Sequence, residues 1–243
     1  SVLKKVNIEG TANVVNFCLT EGVKKLCYIS SIATLGKTTD GSLSTEETEF
    51  NPEEDNSVYA ITKHEAEMQV WRGTQEGLDA IIVHPGVIIG EGVWSSASGG
   101  VFRTISKGLR YYTPGGVSIV DVKDVVKAMI ILTTSTIKNE AYILVAKNIY
   151  YKELIAKISV SLNKKPPNKT IAKWMMISVV NLDWFLYKVF RIKRKLLKAT
   201  VRSLYKTSFY DASKIKKVLG FKFTPSDKMI ERVARNYRKD FKF

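Results

Sequence analysis

The feature that most constrains the fold is an alternation of short Val/Ile-rich runs with stretches of helical pattern. Asp79-Ala80-Ile81-Ile82-Val83-His84 is too short for a helix and rich in residues that pack on a pleat, so it reads as a strand. Lys24-Lys25-Leu26-Cys27-Tyr28-Ile29 reads as another short, buried strand. Between them lies a helical pattern over Val58–Glu76, with Ser57 as N-cap and Gly77 as stop. Further signals predict a helix over Leu3–Glu21, a helix around Gly100–Lys107 and short strands near Tyr111 and over Val117–Val120. A helix over Val122–Thr133 and a strand over Ala141–Val145 come next, and helices dominate the remainder. Strands without a polar face, separated by helices, indicate an α/β fold with a parallel sheet covered on both sides.

The chemistry concentrates in one helix. Tyr59 and Lys63 stand four residues apart, which puts them on one face. A lysine ammonium beside a phenol favours the phenolate and draws a pKa near 10 toward neutrality. Ser31, after the strand ending at Ile29, offers a hydroxyl to hold a substrate oxygen. Together they form a proton donor and acceptor for a carbonyl/alcohol pair, which is what hydride transfer to or from a nicotinamide asks of a protein. Tyr-x-x-x-Lys alone is common by chance. Its weight comes from the order strand, Ser30-Ser31, acidic loop, Tyr-Lys helix, strand, Pro85-Gly86.

That order resembles the extended short-chain dehydrogenase/reductases, the NAD-dependent epimerase/dehydratase family. Asn7 to Thr11 is similar to the family's Asn-Val-x-Gly-Thr helix start, and Ile29 to Gly36 to its Ser-Ser segment. Counting back from Gly36 makes Ser31 the catalytic serine. Tyr59 and Lys63 match the catalytic pair, and His84 to Gly90 the Arg-Pro-x-x-Val-Tyr-Gly turn. Ile119 to Val125 resembles the Val-Asp-Val-x-Asp-Val segment, and Tyr210 to Phe221 the closing helix with its Leu-Gly-Phe turn. The resemblance implies a Rossmann-type doubly wound parallel sheet with a small, mostly helical substrate-binding part. It implies Tyr59 as general acid/base, Lys63 holding the nicotinamide ribose, and Ser31 holding the substrate oxygen. The cofactor, NAD or NADP, is expected against Ile29, Ser30, Tyr59, Lys63, Pro85, Gly86, Val87 and Ile88. It also implies a homodimer through the helix after Gly10 and the Tyr-Lys helix, for which Val14, Phe17, Cys18, Ala66, Val70 and Trp71 offer apolar stripes.

Departures refine the expectation. The family's Gly-x-x-Gly-x-x-Gly turn has no match, and Gly90-Glu91-Gly92 reads as a loop. The chain is therefore expected to be an N-terminally truncated form lacking about three strands, with poor dinucleotide affinity by itself. Leu35 and Ile89 replace the tyrosines usual in sugar-nucleotide epimerases, and His84 replaces an arginine, which places the chain nearer the dihydroflavonol-reductase and hydroxysteroid-dehydrogenase branch. Residues 1–150 are expected to form the cofactor-binding and catalytic part, and 151–243 mainly the substrate-binding part, interleaved with the sheet. The leading function is an NAD(P)-dependent ketone/aldehyde reductase or alcohol dehydrogenase. Sugar-nucleotide epimerisation or dehydration, with no net redox change, and a non-catalytic binding module stay open beside it.

Charge and composition exclude other classes. No Cys/His cluster has metal spacing, so no metal is expected; Cys18 and Cys27 read as core residues and His64 as a surface one. The net charge of +15 is uneven: Lys188 to Lys217 holds eleven Lys/Arg against Asp211 alone. The first reading of this stretch is a solvated helix face, and the second a peripheral membrane contact. No aromatic-interleaved basic motif of the RNA-binding kind is present, so nucleic acid is not an expected partner. The apolar run Ile171–Phe190 is interrupted by Asn181 and Asp183 and falls short of a span of ~20 apolar residues. The family resemblance implies that it is a helix walling a substrate pocket, and an interfacial helix is the alternative. A cytoplasmic location is expected, with or without membrane association.

Overall fold

The computed structural model describes residues 2–38, 40–95, 97–191 and 198–241, so Thr39 and 192–197 of the basic stretch lie outside it. Helix α1 (Val2–Lys4), a π-helical turn (Lys5–Glu9) and α2 (Gly10–Thr20) precede strand β1 (Lys25–Ile29). A 3-10 turn (Ile32–Thr34) and the acidic loop lead to α3 (Val58–Gln75), β2 (Asp79–Pro85), β3 (Val87–Ile89), α4 (Ala97–Ser106), β4 (Tyr111–Tyr112) and β5 (Gly116–Asp121). Then come α5 (Val122–Thr134), β6 (Glu140–Leu144), β7 (Lys147–Tyr150), α6 (Tyr151–Ser161) and β8 (Lys169–Thr170). The last elements are α7 (Lys173–Phe190), α8 (Lys198–Leu204), α9 (Ser213–Leu219) and α10 (Ser226–Phe241). The alternation is that of a doubly wound parallel α/β sheet, as the apolar runs require.

The chain divides into two units. One comprises Ser1–Ile88, Ile119–Lys147 and Tyr210–Thr224; the other comprises Ile89–Ser118, Asn148–Phe209 and Pro225–Phe243. The chain passes between the units several times.

In the first unit β1, β2 and β6 pair in parallel, in the order β1-β2-β6. Successive β2 side chains go to opposite faces. Ile81 and Val83 join Val125, Ala128 and Leu132 of α5 and Ile215 of α9 in one cluster. Ala80 and Ile82 join Val15 and Cys18 of α2 and Val70 of α3 in another. A strand covered on both sides can be apolar throughout, and this is why β2 carries no polar face. β1 differs from the buried strand expected: it is half-buried, with Ile29 exposed, because it lies at the edge of the described sheet. Cys27 is correspondingly only half-buried, while Cys18 is core.

The helix expected over Leu3–Glu21 is broken by the π turn, where Asn7 donates to Thr62 of α3 at 3.0 Å. Ser57 caps α3 by accepting from the Ala60 amide at 3.1 Å. His64 is half-buried, not on the open surface, with its ring stacked on Phe50 at 4.3 Å. In the second unit, α6 packs against α10, and Leu154, Ile158, Met229, Val233 and Tyr237 on these helices are buried. Trp94 donates to Asp240 at 2.7 Å within that unit. α7 begins at Lys173 and buries Val180 alone among its described side chains, so it is far more open than the pocket-walling helix expected.

Candidate active site

The site assembles at the carboxyl ends of β1 and β2, where loops in parallel α/β sheets diverge and leave room for ligands. The register pairs Ile29 with Val83, and the Ser30 amide continues the ladder to the Val83 carbonyl at 2.8 Å. The Ser30-Ser31 turn and the Pro85-Gly86-Val87 turn thus leave adjacent strands. Gly36 closes the first turn, its amide donating to the Thr48 carbonyl at 3.0 Å. A side chain at Gly36 would collide with the Glu49 carbonyl, which explains glycine there.

Lys63 reaches this edge from α3. Its Nζ donates to the Ile29 carbonyl at 2.7 Å and to the Tyr28 Oη at 2.8 Å. It also stands 4.3 Å from the centroid of the Tyr28 ring. The phenol held by the ammonium is therefore Tyr28, not the Tyr59 expected from the four-residue spacing. Burial pushes the Lys63 ammonium below its ordinary value, and Glu67 pulls it partway back. Burial pushes the Tyr28 phenol up, against a lowering hydrogen bond from Thr11, with the fields of Glu67 and Tyr59 adding to the rise. Tyr59 occupies the first turn of α3 and is 46% exposed.

Ser31 caps the 3-10 turn, its Oγ accepting from the Ala33 amide at 3.2 Å. That bond uses a lone pair and leaves the hydroxyl proton available to a substrate oxygen. Ser30 turns inward: it is buried, and its Oγ donates to Glu67 Oε2 at 2.5 Å. A cofactor would meet Ser30 through its backbone. Pro85 and Gly86 are buried, Ile88 is half-buried against the core, and Val87 is exposed. Gly86 donates its amide to the Leu144 carbonyl at 3.0 Å, fixing the turn onto β6.

Beneath these residues lies a buried polar cluster that the sequence reading missed. Glu67 Oε2 accepts from Ser30, from Thr34 Oγ1 at 3.0 Å and from His84 Nε2 at 3.0 Å. Trp71 Nε1 donates to the other carboxylate oxygen at 3.4 Å. Burial works to raise the Glu67 carboxyl, but the hydrogen bond and field of His84 and the bonds from Ser30 and Thr34 outweigh it, and the group sits below its ordinary range. His84 Nδ1 is buried and has no hydrogen-bond partner among the described residues. The available signal was period: Glu67 follows Lys63 by four and continues the Tyr59–Lys63 face. Tyr28 gave no signal, since a strand tyrosine is ordinarily a packing residue.

These residues suit the nicotinamide end of a dinucleotide. Lys63 spends two of its three donors on the protein, leaving one for a ribose hydroxyl, and Tyr59 and Val87 present open surface. Among the described residues no group of His, Cys, Asp and Glu could hold a metal ion.

Fold and site define a Rossmann-type α/β protein with a Tyr-Lys helix beside the carboxyl end of a parallel sheet. The chain belongs to the NAD dependent epimerase/dehydratase family, whose model matches residues 2–144. A protein of Synechocystis sp. provisionally named dihydroflavonol 4-reductase is 24% identical over 224 residues, 90% of this chain and 65% of the relative. The chain thus spans about two thirds of that relative's length. A 3beta-hydroxysteroid-dehydrogenase/decarboxylase (isoform 1) of Arabidopsis thaliana is 34% identical over 88 residues, 36% of this chain and 20% of the relative. A solved nucleoside-diphosphate-sugar epimerase from Pseudomonas aeruginosa superposes with a TM-score of 0.83 at 20% identity, covering all of this chain and 76% of the other. That likeness speaks for the fold.

Proposed function

We propose that this chain carries the catalytic part of an NAD(P)-dependent reductase or dehydrogenase acting on a small-molecule carbonyl/alcohol pair. The observation that carries the reading is Lys63, fixed by Tyr28 and the Ile29 carbonyl at the sheet's edge with the open phenol of Tyr59 one helical turn before it. A bound nicotinamide would supply the hydride chemistry. The chain's own part is the proton and the alignment. Ser31 donates its hydroxyl to the substrate oxygen and holds it toward Tyr59. The Tyr59 phenol gives a proton to that oxygen in reduction and takes it in oxidation. Lys63, held by Tyr28 and the Ile29 carbonyl, offers its remaining donor to the ribose. Leu35 and Ile89, where sugar-nucleotide epimerases have tyrosines, favour net oxidation or reduction over epimerisation.

The test compares Tyr59→Phe with Tyr28→Phe in the enzyme assayed with ketone and aldehyde substrates, following nicotinamide absorbance. Tyr59→Phe is expected to lower kcat by ~10²–10⁴ with cofactor affinity kept, the range for a lost general acid/base. Tyr28→Phe removes one hydrogen bond to Lys63, worth ~1.5–3 kcal/mol for a charged donor, and is expected to change kcat far less. Near-normal turnover by Tyr59→Phe would remove Tyr59 from the mechanism. Turnover of nucleotide sugars without accumulating absorbance would point to epimerisation instead.

A further inference from the structure

Helix α7 has an unusual surface for a helix in water. Val180 is its one buried described side chain, and Met176, Asp183 and Leu186 are half-buried beside it at helical spacing. The remaining apolar side chains are open. They include Trp174 at 70% exposure, Ile177, Leu182, Trp184 and Phe185 at 52%. Single exposed apolar residues are ordinary, but a run of this size on one helix marks an interaction surface.

Charge decides what covers it. Asp183, the one acid of α7, lies on the packed side. Basic residues stand at both ends: Lys169 and Lys173 at the start, Lys188 and Arg191 at the finish, all exposed. The Lys188 ammonium lies 5.2 Å from the centroid of the Trp184 ring, so the aromatic and the cation form one element. Among the described residues no helix is long and apolar enough to cross a membrane. A second copy of the chain is disfavoured as the partner of this face, because it would set the exposed Lys173, Lys188 and Arg191 against the same cations. A helix with an apolar aromatic face and cations at its ends matches the interface of an anionic bilayer, lying in its plane.

We propose that α7 docks the protein on an anionic lipid surface, seating Trp174, Trp184 and Phe185 at the acyl boundary with Lys173, Lys188 and Arg191 against lipid phosphates. The proposal is independent of the catalytic reading. The whole protein is mixed with vesicles of phosphatidylcholine alone and of phosphatidylcholine with phosphatidylserine, and binding is read by flotation. Binding is expected with phosphatidylserine, weakening as salt rises. The double substitution Trp174→Ser with Phe185→Ser should lower it by about 10- to 100-fold, with an unchanged circular dichroism spectrum. Lys188→Gln should weaken the dependence on phosphatidylserine. If the double variant does not fold, quenching of the parent's tryptophan fluorescence by brominated lipid decides: strong quenching supports the proposal and its absence overturns it. No binding to anionic vesicles, equal binding to neutral ones, or binding untouched by the apolar substitutions overturns it. So does a result in which those substitutions abolish self-association of the protein and leave lipid binding unchanged.

Discussion

Glu67 shows what a single residue does in this fold. Its carboxylate collects donors from the β1 turn, from the 3-10 turn and from β2, so it ties together the segments that carry Ser31 and Pro85. Glu67→Gln would set an amide against those donors and is expected to lower stability by about 2–4 kcal/mol, the cost of breaking a buried charged network. Urea unfolding at neutral pH measures it. The acid response has a definite sign. The folded pKa of Glu67 lies below the unfolded value, so its contribution is full above about pH 4.3 and is lost as pH falls through the folded value. Glu67→Gln should therefore lose less stability than the parent across that acid window; an identical acid limb would contradict the assignment. That Tyr59 and Lys63 share one helix and that Ser31 follows a strand was legible in the sequence, because both rest on local spacing. Glu67 and Tyr28 were not, because their meaning depends on His84, Ser30 and Lys63 arriving from other segments.

At the scale of elements, the α2–α3 packing is set by glycine. A Cβ at Gly73 would approach Val15 Cγ1 to 2.6 Å. Gly73→Ala is expected to cost about 1–3 kcal/mol despite alanine's better helix propensity, because overpacking outweighs it. A midpoint of thermal unfolding raised by the substitution would show that α2 yields instead. Ser57→Ala removes the cap of α3 and should cost about 0.5–2 kcal/mol. Both the cap and the stop of this helix were legible, since each rests on local chemistry: the Ser57 hydroxyl, and the positive φ of +100° at Gly77. The π turn at Lys5–Glu9 was not legible. It coincides with the Asn7 bond to Thr62, a partner 55 residues away.

At the scale of the whole molecule, the prediction is a homodimer through α2 and α3. The structure sorts the six residues offered for that face. Cys18, Ala66 and Val70 are buried within their own unit, and Trp71 packs against the same core. Val14 and Phe17 stay open, Phe17 at 63% exposure. Phe17→Glu should convert a dimer at micromolar concentration into a monomer, read by sedimentation velocity; a monomeric parent, or a variant that remains dimeric, would remove this face from the assembly. The sequence by itself determined the alternation of strand and helix, the parallel sheet and the helix that carries Tyr59 and Lys63. Those follow from local patterning: apolar runs of strand length, a capped helix and a four-residue step. Only the tertiary structure decided that Lys63 holds Tyr28, that Ser30 turns inward to Glu67, and that Phe17 faces out while Cys18 faces in. Each of those outcomes is a choice among partners distant in sequence, made by burial and hydrogen bonding once the sheet has formed.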